Sequence, residues 1–518
     1  MPGVVKDTLT SEEQDRLAAI AAQPLKALRQ LQLLETKLAK YEEERRLERA
    51  RRFGASSEAG DDQYRLFDEA DVQTSTEALD DVSVDAVVTA QTKRRPKRKP
   101  LPADLPRVVV NHTLPLEQQQ CSCGCQMSVV GEKVTEQLDV IPASVRVIEH
   151  RRTTYSCPNC DESIQTTPLP PQPIPKSLAS PGLLAHVAVA KYADGLPLYR
   201  QSKQFARLGI DMPRNTLAGH MVKLGELIQP LMDQLQHHLM AYDIVHMDET
   251  PVQVLKEAGK VAKSQSYMWV MKGGPPDQPA IRYQYDPSRA QTVPLALLAG
   301  FKGYLQTDGY AGYNAVLRDP DIQGLGCWAH ARRQFMDAKK ALPKAEQNKG
   351  NKVNQALAFI GKLYQLEQVI KASEPEERKT RRHTDATPIL DRFRTWLDKQ
   401  SVPPQSALGK AIRYTLAQWP RLLIYTQDGR LNIDNNPVEN AIRPFALGRR
   451  NWLFSDSQGG ARASANLYSL IETAKANGLN DYAYLKTLLT QLPMATTEEE
   501  LQRLLPWNVD RDAINAAT

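Results

Sequence analysis

Apolar positions in the first part of the chain recur at helical spacing. Within residues 25–47, strong helix formers dominate, and apolar side chains follow one another at intervals of three, four and three residues. The recurring positions are Leu31, Leu34, Leu38 and Tyr41. This spacing is that of a heptad seam, so it predicts a short coiled coil that dimerises the chain. An amphipathic helix packed on its own domain explains the same pattern equally well.

A second helical region lies within residues 166–240. The proline-rich segment TTPLPPQPIPKSLASP is a semi-rigid spacer, and the apolar runs after it predict helices that stop near Gly209 and restart at Pro213. Two short helices joined in this way resemble a helix-turn-helix, with Arg214 and Lys223 as candidate DNA contacts. Ordinary all-α packing is the competing interpretation.

From residue 241 onward the pattern changes to strands. The segment DIVHMDETPVQVL has apolar residues on both faces, which suits a strand covered from both sides. Four further strands are predicted in SQSYMWVMKGG, AIRYQYDPSR, FKGYLQTDGY and IQGLGCWAH, with helices after the third, fourth and fifth strands. This order is that of a ribonuclease-H-like α/β fold, in which the first and fourth strands are neighbours. A helical stretch at about residues 341–430 is predicted to be an insertion into this core.

One acidic residue interrupts the first core strand. Burying the carboxylate of Asp248 is costly unless it has a partner or a metal, and a cation shared with other acids is the simplest solution. The other candidates are Asp308, at the end of the fourth strand, and Glu439, near the start of a late helix. Local roles are also available: TDGY is a plausible turn, and with Asn436 as N-cap Glu439 falls at a capping-box position.

Composition and length limit the class of protein. A chain of 518 residues predicts about three to four domains, and 41% hydrophobic with 24% charged residues argues against wholesale disorder. No apolar run reaches the roughly 18–20 residues of a membrane span, and the N-terminus has no signal-sequence pattern. We therefore expect a cytoplasmic protein that does not associate with membranes.

Charge is unevenly distributed although the net charge is only +6. Residues 56–89 contain ten acids and one base, which predicts a disordered acidic linker. A basic, proline-containing run follows. Such a run is often a solvated tail, but it can also neutralise DNA phosphates, which is the interpretation that we favour. Its basic residues are Lys93, Arg94, Arg95, Lys97, Arg98 and Lys99.

Five of the six cysteines are crowded into CSCGC (residues 121–125) and CPNC (residues 157–160). Four thiolates on two such knuckles predict one structural, tetrahedral zinc site. The second knuckle has the usual spacing. In the first, Cys125 could replace Cys121 or Cys123 as a ligand. The residues between the knuckles, 132–157, alternate as in a β-hairpin.

Several longer motifs resemble one known family. HMDETP, YLQTDGYAGY, GCWAHARRQF, DNNPVENAIRPFALGRRNWLF and SLIETAKANGLNDYAYL are similar to the insertion-sequence 66 family of DDE transposases of bacterial mobile elements. The resemblance implies that Asp248, Asp308 and Glu439 are the catalytic triad and that Cys327 to Arg333 form a motif near the site. The zinc ligands that it implies are Cys121, Cys123, Cys157 and Cys160.

The expected organisation is a multidomain α/β protein with a ribonuclease-H-like catalytic core. The expected segments are an N-terminal coiled-coil helix (8–53), an acidic then basic disordered linker (54–106), a zinc-finger module (107–165), a connector with a helix-turn-helix-like region (166–240), the core (241–455, with its insertion at about 341–430) and a C-terminal helical tail (456–518).

A triad of this kind can hold two Mg²⁺ ions about 3.5–4 Å apart, which suits in-line phosphoryl transfer. We expect cleavage of element ends followed by attack of the 3′-OH on target DNA. Arg443, Arg449 and Arg450 are candidate phosphate contacts, although Arg443 could instead pair with Glu439 one helical turn away.

The expected partners are element-end and target DNA, a second copy of the chain and accessory proteins of the same element, near the bacterial nucleoid. The competing functions are a DNA-binding zinc-finger and coiled-coil protein without catalysis, and a metal-dependent nuclease of the same fold.

Overall fold

The computed structural model describes residues 24–53, 145–156 and 164–516. Two compact units divide the chain: Met1–Ser75 with Arg152–Thr518, and Thr76–Arg151. The acidic linker, the basic run and the five clustered cysteines lie outside the described residues, so the predictions made for them stay predictions. No described helix is both long enough and apolar enough to cross a membrane.

Two short strands flank the second cysteine knuckle. Strand β1 (Thr154–Ser156) pairs antiparallel with β2 (Ile164–Thr166). The alternation before this knuckle predicted a hairpin there, but residues 145–153 form no strand. The pairing instead joins the two sides of the knuckle.

A mixed six-stranded sheet forms the centre of the larger unit. Its spatial order is β5-β4-β3-β6-β7, and β8 pairs with the far end of β3. Strand β4 is antiparallel to both of its neighbours, whereas β6 and β7 run parallel to β3. The strands are β3 (Ile244–Lys256), β4 (Gln265–Gly273), β5 (Ala280–Asp286), β6 (Gly303–Gln306), β7 (Ile322–Leu325) and β8 (Ser455–Ser457). The predicted contact between the first and fourth core strands is confirmed by the pairing of β3 with β6.

Sixteen helices accompany the strands in the described residues. They are α1 (Pro24–Phe53), α2 (Pro181–Tyr192), α3 (Leu198–Arg207), α4 (Arg214–Leu227), α5 (Gln229–Ala241), α6 (Thr292–Leu297), α7 (Trp328–Ala341), α8 (Lys352–Ile370), α9 (Pro375–Arg381), α10 (Thr387–Asp398), α11 (Ala407–Leu422), α12 (Asn436–Trp452), α13 (Gln458–Ala476), α14 (Asp481–Gln491), α15 (Glu498–Arg503) and α16 (Arg511–Ala516). The stop near Gly209 and the restart at Pro213 are confirmed between α3 and α4. The helix expected in AGYNAVLR is two short 3₁₀ turns.

Helix α13 covers the outer edge of the sheet. The backbone N–H of Ile281 donates to Thr473 Oγ1 at 3.0 Å, and that of Tyr283 donates to Ser469 Oγ at 2.8 Å. Two hydroxyls one helical turn apart on α13 thus accept hydrogen bonds from backbone groups two residues apart on β5. These bonds cover the edge of a strand that would otherwise be open. The helix is buried at almost every position from Ala461 to Ala474. It is therefore an interior element of the fold, within the C-terminal helical tail that the sequence predicted.

Helix α1 contacts the core only near its C-terminal half. The Arg46 guanidinium donates to Ala341 O at 2.6 Å, and Glu43 accepts a hydrogen bond from the Ala407 N–H at 3.1 Å. The predicted seam is 57–64% exposed at Leu31, Leu34, Leu38 and Tyr41. Packing of the seam on its own domain is therefore wrong for this chain, and the coiled coil stays a prediction.

Candidate active site

Strand β3 carries one of the predicted acids, and a second follows the neighbouring strand β6. In their parallel ladder His246 lies opposite Gln306, so Asp248 lies two residues further along β3 and Asp308 lies two residues beyond the end of β6. Such strands are about 4.8 Å apart, and residues two apart share a face. The register therefore places Asp248 and Asp308 side by side at the same end of the sheet.

The third acid lies on α12, which packs against β3. The helix begins at Asn436 with Asn435 as N-cap, so Glu439 is the fourth helical residue. The first helical N–H, that of Asn436, donates to Asp434 Oδ1 at 3.1 Å rather than to a capping box. The capping-box explanation of Glu439 is therefore wrong. Its side chain is nevertheless only 5% exposed.

The turn that follows β6 has the local structure that its sequence predicted. The Tyr310 N–H donates to Asp308 Oδ1 at 2.8 Å, and Gly309 has a φ of +85°, which favours glycine. The hydroxyl of Tyr414, on insertion helix α11, donates to the Asp308 carbonyl at 3.0 Å. The turn and the insertion together fix the position of Asp308.

Asn435 connects the elements that carry the acids. Its side-chain N–H donates to Met247 O at 3.1 Å, and its backbone N–H donates to Cys327 Sγ at 3.2 Å. Its Oδ1 accepts from His246 Nδ1 at 3.2 Å, while His246 Nε2 accepts from Asn432. Burial lowers the pKa of His246 to about 4, so the neutral Nδ1–H form fits both bonds. His246 is thus a core residue that holds the start of α12 on β3.

Negative charge in this region is only partly neutralised. Burial raises the pKa of Asp248 well above its usual range, and the charges of Asp308, Glu249 and Glu439 raise it further. Glu249 has its own partners, Arg289 at 2.5 Å and the Tyr313 hydroxyl at 2.7 Å.

In the part of the chain that the structure describes, Asp248 and Asp308 lack the ion-pair partner that Glu249 has. Among the residues that the structure describes, no lysine or arginine forms an ion pair with Asp248 or Asp308. Their negative charge is therefore not balanced by an ion pair within the described residues.

Glu439 is approached by a second set of groups, from the start of α7. His330 Nδ1 lies 3.6 Å from Glu439 Oε1, and Arg333 lies 3.5 Å from Oε2. Arginine can only donate, so its contact with His330 Nε2 at 3.2 Å leaves the proton of the neutral ring on Nδ1. Among the described residues, neither His330 Nδ1 nor Glu439 Oε1 has a hydrogen-bond partner. Cys327, His330 and Glu439 each place one possible metal-ligand atom within 4.8 Å of the others.

His330 and Arg333 were not singled out individually from the sequence. The available signal was the C-x-x-H spacing in GCWAHARR, which sets a thiol just before the first residue of α7 and an imidazole within its first turn. Their approach to Glu439 depends on a contact between the start of α7 and the segment that leads into α12, where the Trp328 N–H donates to Ile433 O at 3.2 Å, and no local pattern reports this contact.

A cleft of about 330 Å³ opens over these acids. Asp248 and Glu439 line it, whereas Asp308 does not. Its far wall is one face of α12, where Arg449 and Arg450 lie. Arg443 is not among the lining residues. Buried carboxylates beside unpartnered ligand atoms suit a divalent cation, and the arginines suit an anionic substrate.

The sequence matches four known protein families. Residues 176–463 match the Transposase IS66 family, and residues 469–507 match the IS66 C-terminal element. Residues 118–161 match the zinc-finger binding domain of transposase IS66. Residues 40–110 match the Transposase C of IS166 homeodomain.

Similar proteins include three uncharacterized proteins of Sinorhizobium fredii. Protein y4jD is 33% identical over 435 residues, which cover 80% of this chain and 83% of y4jD. Protein y4qI is 33% identical over 81% of this chain and 80% of its own length. Protein y4hP is 32% identical over 92% of this chain and 89% of its own length.

Proposed function

Because the chain belongs to the IS66 family of transposases, we propose that it cleaves the ends of its insertion element and joins the freed 3′-OH groups to target DNA. The observation that carries this proposal is the grouping of Asp248, Asp308 and Glu439. Beyond the effect of burial, the charges of Asp308 and Glu439 raise the pKa of Asp248, and the pairing of Glu439 with Arg333 offsets only part of the negative charge of the group. Both alternatives from the sequence, a nuclease and a non-catalytic DNA-binding protein, become outcomes of the test below.

The strand order supports a ribonuclease-H-like core. Strand β3 is central, β4 and β5 follow on one side, and β6 and β7 follow on the other. Only β4 runs against the rest of this set. In such a sheet, the ends of the parallel strands β3 and β6 form a rigid base for two carboxylates.

The residues present fit divalent cations. Oxygen ligands suit Mg²⁺, and a bound cation would offset the burial and the neighbouring negative charges that raise the pKa of Asp248. Asp248, Asp308 and Glu439 would hold the ions. When bound, two Mg²⁺ ions activate the attacking water and stabilise the charge on the leaving 3′ oxygen.

The chain's own side chains then position the DNA. Arg449 donates to Thr250 Oγ1 at 3.3 Å, which holds its guanidinium at the cleft wall, and Arg450 is exposed beside it. Both can bind phosphate oxygens on either side of the scissile bond. Arg333 lies near Glu439 Oε2 and keeps that carboxylate oriented toward the cleft.

The remaining parts of the chain are proposed to bind DNA and partner proteins. The zinc-finger region, with one structural zinc, and the basic run of residues 93–99 would bind DNA near the element ends, and accessory proteins of the element would join the assembly. The exposed seam of α1 would pair with a second copy. Deleting residues 1–50 is expected to lower the sedimentation mass, and an unchanged mass would refute the pairing.

The direct test includes the accessory proteins of the element together with this chain. Labelled element ends are incubated with Mg²⁺ and the purified proteins, and nicked and joined products are separated. Asp248→Asn, Asp308→Asn and Glu439→Gln are each expected to abolish both products. Asp398→Asn, an exposed acid in the insertion, is the matched control and should retain both.

Each other result selects one of the alternatives. Cleavage without joining by the unsubstituted chain would show a nuclease. Binding without cleavage would show a DNA-binding protein that lacks catalysis.

A further inference from the structure

One strained residue follows the helix that carries Glu439. Leu453 has φ +65° and ψ −50°, and the Phe454 N–H donates to Trp452 O at 2.8 Å. This is a γ-turn of the rare, strained type, and a bulky L-residue seldom adopts it. Strain of this kind is kept where the surrounding structure enforces it, often at functional sites.

The residues on both sides of the turn are firmly held. Trp452 packs against Phe445 with ring centroids 5.4 Å apart, and Lys191 Nζ lies 5.1 Å from its ring centroid. On the other side, Ser455 pairs with Val254 of β3. Helix α12 and strand β8 therefore present the turn as a rigid tip.

The tip is apolar and open to solvent. Leu453 is 63% exposed and Phe454 is 43% exposed. Two large apolar side chains that a strained turn exposes to water do not stabilise the folded state. Their arrangement is better explained by a partner that covers them.

Charge near the tip indicates what that partner is. Leu453 and Arg449 line a groove of about 510 Å³ together with Lys263, and Arg449 also lines the acidic cleft. Arg450 is exposed next to it. The tip is thus apolar, is flanked by cations and adjoins the cleft that carries the acids. DNA complements such a surface, because its backbone is anionic and its bases have flat apolar faces.

We propose that Leu453 and Phe454 form an apolar wedge that enters a base step at the element end and unstacks it, while Arg449 and Arg450 hold the flanking phosphates. The wedge rests on the proposed function and adds to it a requirement for a locally opened DNA end. A terminal base pair that is unstacked lets the scissile strand bend toward Asp248 and Glu439.

The test reads base stacking directly. DNA duplexes with the terminal sequence of the element carry 2-aminopurine at successive positions around the cleavage site, and Ca²⁺ replaces Mg²⁺ to allow binding without cleavage. With the unsubstituted chain and the element's other proteins, fluorescence is expected to rise about threefold or more at one position. An unchanged signal at every position of a bound duplex would overturn the wedge.

The informative variant is Leu453→Gly, because glycine adopts a positive φ without strain. This variant should fold at least as well as the unsubstituted chain, with an equal or higher Tm. It should lose most of the fluorescence rise and cleave about tenfold more slowly, while its Kd for the duplex changes less than about threefold. Val369→Ser, which removes an exposed apolar side chain from the insertion, is the control and should behave like the unsubstituted chain.

A duplex with an abasic site at the responding position separates the wedge from a merely structural role. It is already unstacked, so it should restore cleavage by Leu453→Gly. Normal unstacking and cleavage of the intact duplex by Leu453→Gly would overturn the wedge and leave the proposed function standing. Failure of the unsubstituted chain to bind or cleave any element end would instead overturn the proposed function, and the wedge with it.

Discussion

Two buried clusters of charge in this molecule are built in opposite ways. In the helical insertion, the guanidinium of Arg382 is fully buried, yet it makes two hydrogen bonds to Glu367, at 2.8 and 2.7 Å. It also donates to the carbonyls of Tyr425, Asp428 and Leu431 at 2.8–2.9 Å. Every donor of this arginine is used.

The cleft treats its charges differently. The Glu439 side chain is more buried than that of Glu367, 6% against 11% exposed. Within the described part of the chain, one of its oxygens has no hydrogen-bond partner, and Asp248 accepts only the N–H of the next residue. Satisfied buried charges are typical of structural sites, whereas unsatisfied ones with perturbed pKa values are typical of functional sites. The contrast indicates that the insertion cluster serves stability and the cleft cluster serves function.

Replacing Glu439 or Glu367 with glutamine tests this contrast, and the loss of DNA cleavage in Glu439→Gln is the largest effect that we expect. Glu439→Gln should lower DNA cleavage by about 10⁴-fold. Burial raises the pKa of Glu439, so the folded state disfavours its ionised form, and the amide should leave the metal-free Tm equal or raise it. Glu367→Gln should do the reverse, with a lower Tm and cleavage retained below that Tm. Thermal melts in EDTA and cleavage assays measure both, and a Tm loss only in Glu439→Gln would break the comparison.

Removing the cation of the insertion cluster should have the next largest effect. Arg382→Met leaves the Glu367 carboxylate and three carbonyls without their donor, and such losses cost about 3–5 kcal/mol. Urea denaturation measures the free energy of unfolding. Arg394→Ala, which breaks the exposed pair with Asp398, is the control and should cost about 0.5 kcal/mol or less. Equal losses for the two variants would contradict the account.

A smaller effect is expected at the junction that connects strand β3 to α12. Asn435→Ala removes the bonds to Met247 and His246, and it should cost about 1–3 kcal/mol of stability. Because Asn435 holds the elements that carry Asp248 and Glu439, cleavage should also fall, more in kcat than in KM. Stability lost with cleavage unchanged would show that Asn435 has no positioning role.

The sequence predicted the acids better than their surroundings. Asp248 is conspicuous because its strand is otherwise apolar, and strand order alone indicated that Asp308 would be its neighbour. The capping explanation of Glu439 was wrong because α12 starts one residue earlier than Pro437 suggested. Local sequence patterns do not locate a helix end to within one residue.

Two other features depend on contacts that a linear pattern does not contain. Helix α13 is rich in alanine and serine, so its sequence has little hydrophobic signal. It is nevertheless interior because its backbone approaches α4 closely, where a Cβ on Gly225 would lie 2.4 Å from Ala463 Cα. The strained turn at Leu453 likewise results from anchoring on both of its sides, which the sequence NWLFS does not encode locally.

Binding of Mn²⁺ tests the central claim most directly, because it requires neither DNA nor accessory proteins. Free Mn²⁺ is followed by electron paramagnetic resonance as the zinc-loaded chain is titrated, alongside Asp248→Asn and the control Asp398→Asn. The account predicts binding by the unsubstituted chain and the control, and an affinity at least about tenfold weaker in Asp248→Asn. Equal affinity and equal numbers of bound ions in all three proteins would contradict it.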